Sequence, residues 1–198
     1  VCAHCVYLSE GDMALLAERG TSVAHNAASN MKLGNGFADV PAMRAHGINV
    51  CLGTDSAASN NNLSLLREMQ MVGLIHKGTH REATTVTAHE VFDMATVNGA
   101  KALGLADKIG EISPGKRADL SLFDLNSPGF FPIGDPKAAL CYSSEALKSE
   151  TVLVDGMILL EKGTFLPPRK RSICTFVFRA YSRNSPLTVK IILLLITN

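Results

Sequence analysis

A carboxylate at the end of an apolar run is the first side chain here whose placement points to chemistry. In NVCLGTDSAASNNN, the β-prone residues Val50, Cys51 and Leu52 meet Gly53 and then present Thr54 and Asp55 to a polar stretch. Two earlier runs end in a similar way, VCAH delivering His4 and TSVAHN delivering His25 and Asn26. Strand ends that open into loops are where α/β barrels keep their active sites. An Asp in such a place often caps a helix, but the next apolar helical pattern starts several residues on, at Leu63. Asp55 therefore reads as a metal ligand or a base, with His4 and His25 as imidazoles on the same rim if the strands are parallel neighbours. His46, His76, His80 and His89 fall on expected helices or polar loops and read as solvated.

Positioning these groups requires an alternation of strands and helices. VCAHCVYL is followed by a short helix, MALLAERG, with Met13, Leu15, Leu16 and Ala17 inward and Gly20 as its stop. The strand TSVAHN leads into AASNMKLGNG, read as a long polar loop, and then into the helix ADVPAMRAHG with Pro41 in its first turn. INVCLGTD is the third strand. The helix after it carries Leu63, Leu65, Leu66, Met69 and Val72 on one face of LSLLREMQMVGLIHKG. Such repetition implies βα units with parallel strands.

Further along, TVTAHEVFDMATVNGAKALGL has a helical pattern with Thr87 as N-cap, Glu90 as its capping-box partner, and a stop near Gly99 or Gly104. DKIGEISPGKRADLSLFDL turns at Pro114-Gly115 into a strand containing Leu120, Leu122 and Phe123. VLVDGMILLEKGTFL is a hairpin turning at Asp155-Gly156. Lys116, Arg117 and Asp119 read as turn and surface residues.

Composition narrows the function. The 198 residues are 46% hydrophobic with a formal charge of +1, which suits a globular protein and indicates neither a nucleic-acid nor a membrane partner. Residues 167–198 hold six of the 19 basic side chains and none of the 18 acidic ones, so an acidic body carries a basic tail. The tail's apolar run IILLLI is far short of the roughly 20 residues a membrane helix needs. We expect the tail from Pro167 to pack poorly, as the product of a frame or splice change. Five scattered cysteines, Cys2, Cys5, Cys51, Cys141 and Cys174, suit reduced thiols in the cytoplasm. Cys2-Ala3-His4-Cys5 lacks the second ligand pair of a zinc finger, and Cys5 and Cys51 read as packing residues. Gly34-Asn35-Gly36 lacks the third glycine of a dinucleotide fingerprint, and neither a phosphate loop nor a G-x-S-x-G elbow occurs. The chain opens on Val1 with a strand and no signal peptide, so we expect a piece cut from a longer protein.

The motifs HN-x-x-SN-x-KL and LGTD-x-x-x-SNN, within SVAHNAASNMKLGNGFADV and INVCLGTDSAASNNNLSLLREM, resemble the amidohydrolase superfamily. The resemblance runs from about Val1 to Leu166. It is strongest to the branch of 5-methylthioadenosine/S-adenosylhomocysteine deaminases, with triazine hydrolases and guanine deaminases as cousins. It implies an α/β fold, the C-terminal part of a (β/α)8 barrel with strands six to eight at 1–105. Part of a small β-sandwich would follow at 106–166, left with an open edge, and the atypical tail at 167–198. It also implies a divalent metal, usually zinc, with Asp55 as the eighth-strand ligand that accepts a proton from the attacking water. His4 would hydrogen-bond the water or the departing group, and His25, Asn26 and Asn30 would line the substrate pocket. The reaction implied is deamination of a purine nucleoside or related heterocycle by attack of a metal-bound hydroxide, since the ion lowers the pKa of its water to roughly 7.

The chain also departs from that pattern. The family's remaining metal histidines and its ring-protonating glutamate would lie before Val1, Ser56 stands where glycine is common, and Tyr7 where histidine is common. A catalytic zinc needs about three protein ligands. We expect the parent protein to be a deaminase and this chain alone to be inactive, the alternatives being a non-catalytic association module or a triazine- or guanine-type hydrolase. Homo-oligomerisation is left open.

Overall fold

The structure is a computed structural model that describes residues 1–126, 128–132, 134–144 and 147–166, together with the backbone of 190–193. Its first layer is a parallel sheet in the order β1 (Cys2–Ala3), β2 (Val23–His25), β3 (Val50–Leu52). Cys2 lies opposite Val23 and Val23 opposite Val50, while Ala3, Ala24 and Cys51 form the next row. Because successive side chains alternate across a strand, Val23 and Val50 enter the buried layer under the helices and the Ala3 row faces the other way.

The covering helices are α1 (Glu10–Glu18), α2 (Ala27–Lys32), α3 (Val40–Ala45), α4 (Ala57–Asn60), α5 (Leu65–His80), α6 (Ala88–Ala95) and α7 (Val97–Ala102). Capping boxes start two of them, Ser9 with Asp12 on α1 and Thr87 with Glu90 on α6. Met43, Met69, Val72, Val91 and Met94 join Val23 and Val50 in one core, each buried side chain stabilising by about 1.5–3 kcal/mol. After α7 the chain forms β4 (Leu120–Asp124), α8 (Pro136–Tyr142), β5 (Ser149–Val154), β6 (Met157–Glu161) and β7 (Thr164–Phe165). With β8 (Lys190–Leu193) these strands make a second, antiparallel sheet in the order β7-β6-β5-β4-β8. The β5–β6 hairpin turns at Asp155 and Gly156, both with positive φ.

Several sequence expectations need correction. AASNMK is a helix, α2, because its buried polar groups find partners that its polarity alone does not announce. Within α1 only Met13 is fully buried and Leu15 is exposed, since positions 13, 16 and 17 share a face that 15 does not. Leu63 lies before Ser64, the N-cap of α5, and is exposed. His76 is buried rather than solvated, because it falls on the same helical face as Met69 and Val72. The single helix expected from Thr87 breaks at Thr96, whose hydroxyl bonds the Phe92 carbonyl at 2.8 Å. The second sheet ends at β7 on one side and at the β8 backbone, beside β4, on the other. The other expectations for the tail from Pro167 lie outside the described residues. Among the described residues no helix is long and apolar enough to cross a membrane.

Candidate active site

His4 leaves β1 through a tight turn. The Cys5 N–H donates to the Ala3 carbonyl at 2.9 Å across a His4 whose φ is 66°. Its Nδ1 bonds Asn30 Oδ1 at 2.8 Å. An amide oxygen only accepts, so a proton on Nδ1 makes this bond and Nε2 faces away from it. That Nε2 stands 4.0 Å from Asp55 Oδ2.

Asp55, at φ 58°, also sits in the left-handed region, which costs a non-glycine residue on the order of 1–3 kcal/mol. Three donors hold it there. Oδ2 accepts from Ser29 Oγ at 2.5 Å and from Ser59 Oγ at 2.6 Å, and Oδ1 accepts from the Ser56 N–H at 2.7 Å. These bonds, that of Ser29 foremost, pull the Asp55 carboxyl down to about 2 and keep it ionised at neutral pH. The short helix α4 does start at once after Asp55, but Ser56 is its cap.

Both groups open on one cavity of about 760 Å³. Ala3, Ala24 and Cys51 line its floor, His4, Asn26 and Asp55 its polar side. Asn26 packs so closely on Gly53 that any Cβ at position 53 would collide with its side-chain oxygen. Asn30 and Ser29 lie behind the wall, fully buried, holding His4 and Asp55 rather than lining the space. His25 is further back. It continues β2 in strand conformation, shares the parity of Val23, and meets the His76 ring at 5.4 Å in the buried layer. Neither of its ring nitrogens has a hydrogen-bond partner among the described residues. Burial, with the nearby charges of His76 and His4, lowers its pKa to about 3. The sequence thus brings His4, Asn26 and Asp55 to the cavity and leaves His25 and Asn30 outside its lining. The missed participants are Ser29, Ser59, Asn60 and Glu68. A signal for three of them is the dipeptide Ser-Asn, which occurs at 29–30 and again at 59–60 inside the two quoted motifs.

A parallel βα layer with an ionised carboxylate and an imidazole at its strand ends is the arrangement of an α/β protein with a candidate site on its rim. The chain belongs to the amidohydrolase family, whose sequence pattern matches residues 1–159. It is 50% identical over 161 residues to a 5-methylthioadenosine/S-adenosylhomocysteine deaminase of Acetivibrio thermocellus, covering 81% of this chain and 37% of that protein. It is 45% identical over 159 residues to a 5'-deoxyadenosine deaminase of Methanosarcina acetivorans, covering 80% of this chain and 36% of that one. Among solved structures, an adenosine deaminase from Xanthomonas campestris with bound zinc superposes with a TM-score of 0.79 at 34% identity, over 83% of this chain and 37% of that chain. The chain spans little more than a third of the length of these relatives.

The zinc of that structure raises the question of fit. Asp55, anionic and turned to the cavity, suits one ligand of such an ion. Among the described residues, however, no group of three His, Cys, Asp or Glu side chains could hold a metal. The described residues do not make a complete zinc site.

Proposed function

We propose that the protein to which this sequence belongs hydrolytically deaminates a 5'-substituted adenosine or a related purine nucleoside, on the rim formed by His4, Asn26 and Asp55. The observation that carries this reading is the facing pair itself: a carboxylate held ionised by three donors, 4.0 Å from an imidazole nitrogen, on one cavity. The high identity to deaminases of 5'-modified adenosines supports the substrate class.

In the proposed step, water adds to the ring carbon bearing the amino group, and ammonia then leaves. Asp55 accepts a proton from the water, and His4 Nε2 accepts a hydrogen bond from the water or, once protonated, donates to the departing amine. Asn26 forms the pocket wall beside them. Asp55 is also the one side chain here that we assign as a ligand to the divalent metal, with the remaining ligands outside the described residues. The reading includes a cytoplasmic enzyme with free thiols and C-terminal strands six to eight of a barrel, followed by part of a β-sandwich.

An ammonia-release assay on methylthioadenosine, S-adenosylhomocysteine, 5'-deoxyadenosine, adenosine and guanine, run with metal analysis, tests it. A full-length protein containing this sequence should release ammonia from the 5'-modified adenosines and the 198-residue chain should not. His4→Asn should lower the full-length rate roughly 10²- to 10⁴-fold. Unchanged turnover in Asp55→Asn would overturn the assignment.

A further inference from the structure

Glu68 does not touch the cavity, yet both arms of the rim rest on it. It lies on α5 with no exposure at all. Its Oε2 accepts from the Ala28 N–H at 3.2 Å, and its Oε1 accepts from Asn60 Nδ2 at 2.8 Å. Ala28 immediately precedes Ser29 and Asn30, the residues that hold Asp55 and His4. Asn60 follows Ser59, the second serine on Asp55, and its Nδ2 also donates to the Thr54 carbonyl at 2.7 Å, one residue before Asp55. Asn26, at the cap position of α2, makes no side-chain cap bond, so a carboxylate from another helix does that work.

Burying this group is costly. Burial pushes the Glu68 carboxyl pKa up, and an apolar side chain in its place would spare that cost while stranding two donors. The arrangement makes sense if those donors must be fixed relative to each other.

We propose that Glu68 is a positioning residue for the rim: its carboxylate clamps α2 to α4, so that Asn30 keeps His4 in its Nδ1–H form and Ser29 and Ser59 keep Asp55 turned to the cavity. The catalytic consequence rests on the proposed function, but the clamp is read out without turnover. A negative ammonia assay therefore cannot imitate its failure.

The test is nitrogen NMR of the histidine rings in the full chain at pH 8. The parent chain should show His4 as a single Nδ1–H tautomer. Glu68→Gln has one acceptor oxygen for two donors, so His4 should become a mixture of tautomers while the His25 and His76 signals stay in place. Glu68→Asp keeps two acceptor oxygens, so it should hold His4 closer to the single tautomer than Glu68→Gln does. An unchanged His4 in folded Glu68→Gln, or an equal mixture in both variants, overturns the clamp. Loss of fold in both variants also overturns it, by making Glu68 a determinant of the whole core.

Discussion

Two layers of this protein treat the same dipeptide in opposite ways. Ala3-His4 ends β1 and Ala24-His25 ends β2, with Ala3 directly opposite Ala24 in the sheet. His4 is part-exposed and hydrogen-bonded on the rim, whereas His25 is buried with both ring nitrogens unpartnered among the described residues. The difference lies in one backbone torsion. His4 takes φ 66° and swings out of strand parity, while His25 remains in β2 and follows Val23 into the helix-facing layer, leaving Asn26 to reach the cavity. Residue type supplies an imidazole; the turn decides whether it faces the cavity or packs.

The largest effect expected from this contrast is acid lability of the lower layer. Burial, foremost, lowers His25 to about 3 and His76 to about 4, from ordinary values of 6.5. His25 faces His76 and His4, and His76 faces His80, Asp39 and Lys77. Below pH 6.5 the unfolded chain binds protons that the folded chain refuses, so stability is level above 6.5 and falls as pH drops towards 3. At about 1.4 kcal/mol per pKa unit, His25 alone removes on the order of 5 kcal/mol, comparable to a whole domain's stability. Asp55 contributes in the same direction only below its ordinary 3.8, so above 3.8 the loss belongs to the histidines and not to Asp55. Urea denaturation at pH 7.5, 6, 5 and 4 measures the slope. His25→Leu should flatten most of it, and an equal slope in that variant would dissolve the distinction between the layers.

The sequence made the strand ends legible because apolar runs closed by polar residues have few other readings. It made the helix faces legible too, as Met69 and Val72 show, and the same periodicity applied one turn further would have placed His76 inside. What it hid was satisfied polarity. AASNMK looked like a loop because Ser29 and Asn30 are polar, and it is a helix because Asp55, His4 and Glu68, from 26 to 40 residues away along the chain, supply the partners. Thr96 was equally opaque, since a threonine that breaks a helix differs from one that merely decorates it only by where its hydroxyl turns. Positive φ at His4 and Asp55 has only a weak signature in residue type, since neither position holds glycine, although His and Asp enter that region more readily than most side chains.

Asn30→Ala comes next in size and separates lack of a partner from burial. It deprives the His4 Nδ1 of its acceptor, as His25 is deprived, but leaves His4 within reach of water. We expect a loss of about 1 kcal/mol in urea denaturation at pH 7, the usual net worth of one hydrogen bond. No new slope should open between pH 6.5 and 3. A slope resembling that of the His25 layer would mean that hydrogen bonding, and not desolvation, sets the contrast.

The smallest effects belong to the two serines on Asp55. Ser29→Ala removes the strongest of the influences that lower the Asp55 carboxyl, and Ser59→Ala the next, so each should raise it from about 2 towards 3.8, Ser29→Ala further. Because the folded-state value is depressed, the contribution is present above 3.8 and lost as pH falls towards 2, so each variant should shrink the acid-side loss in that window alone. Carbon NMR of the labelled carboxyl follows the shift directly. At pH 7 the carboxylate stays ionised in either variant, so any change there must come from its aim and not its charge. A rise larger for Ser59→Ala than for Ser29→Ala would move the main support of Asp55 from α2 to α4, and with it the arm of the rim on which the acid depends.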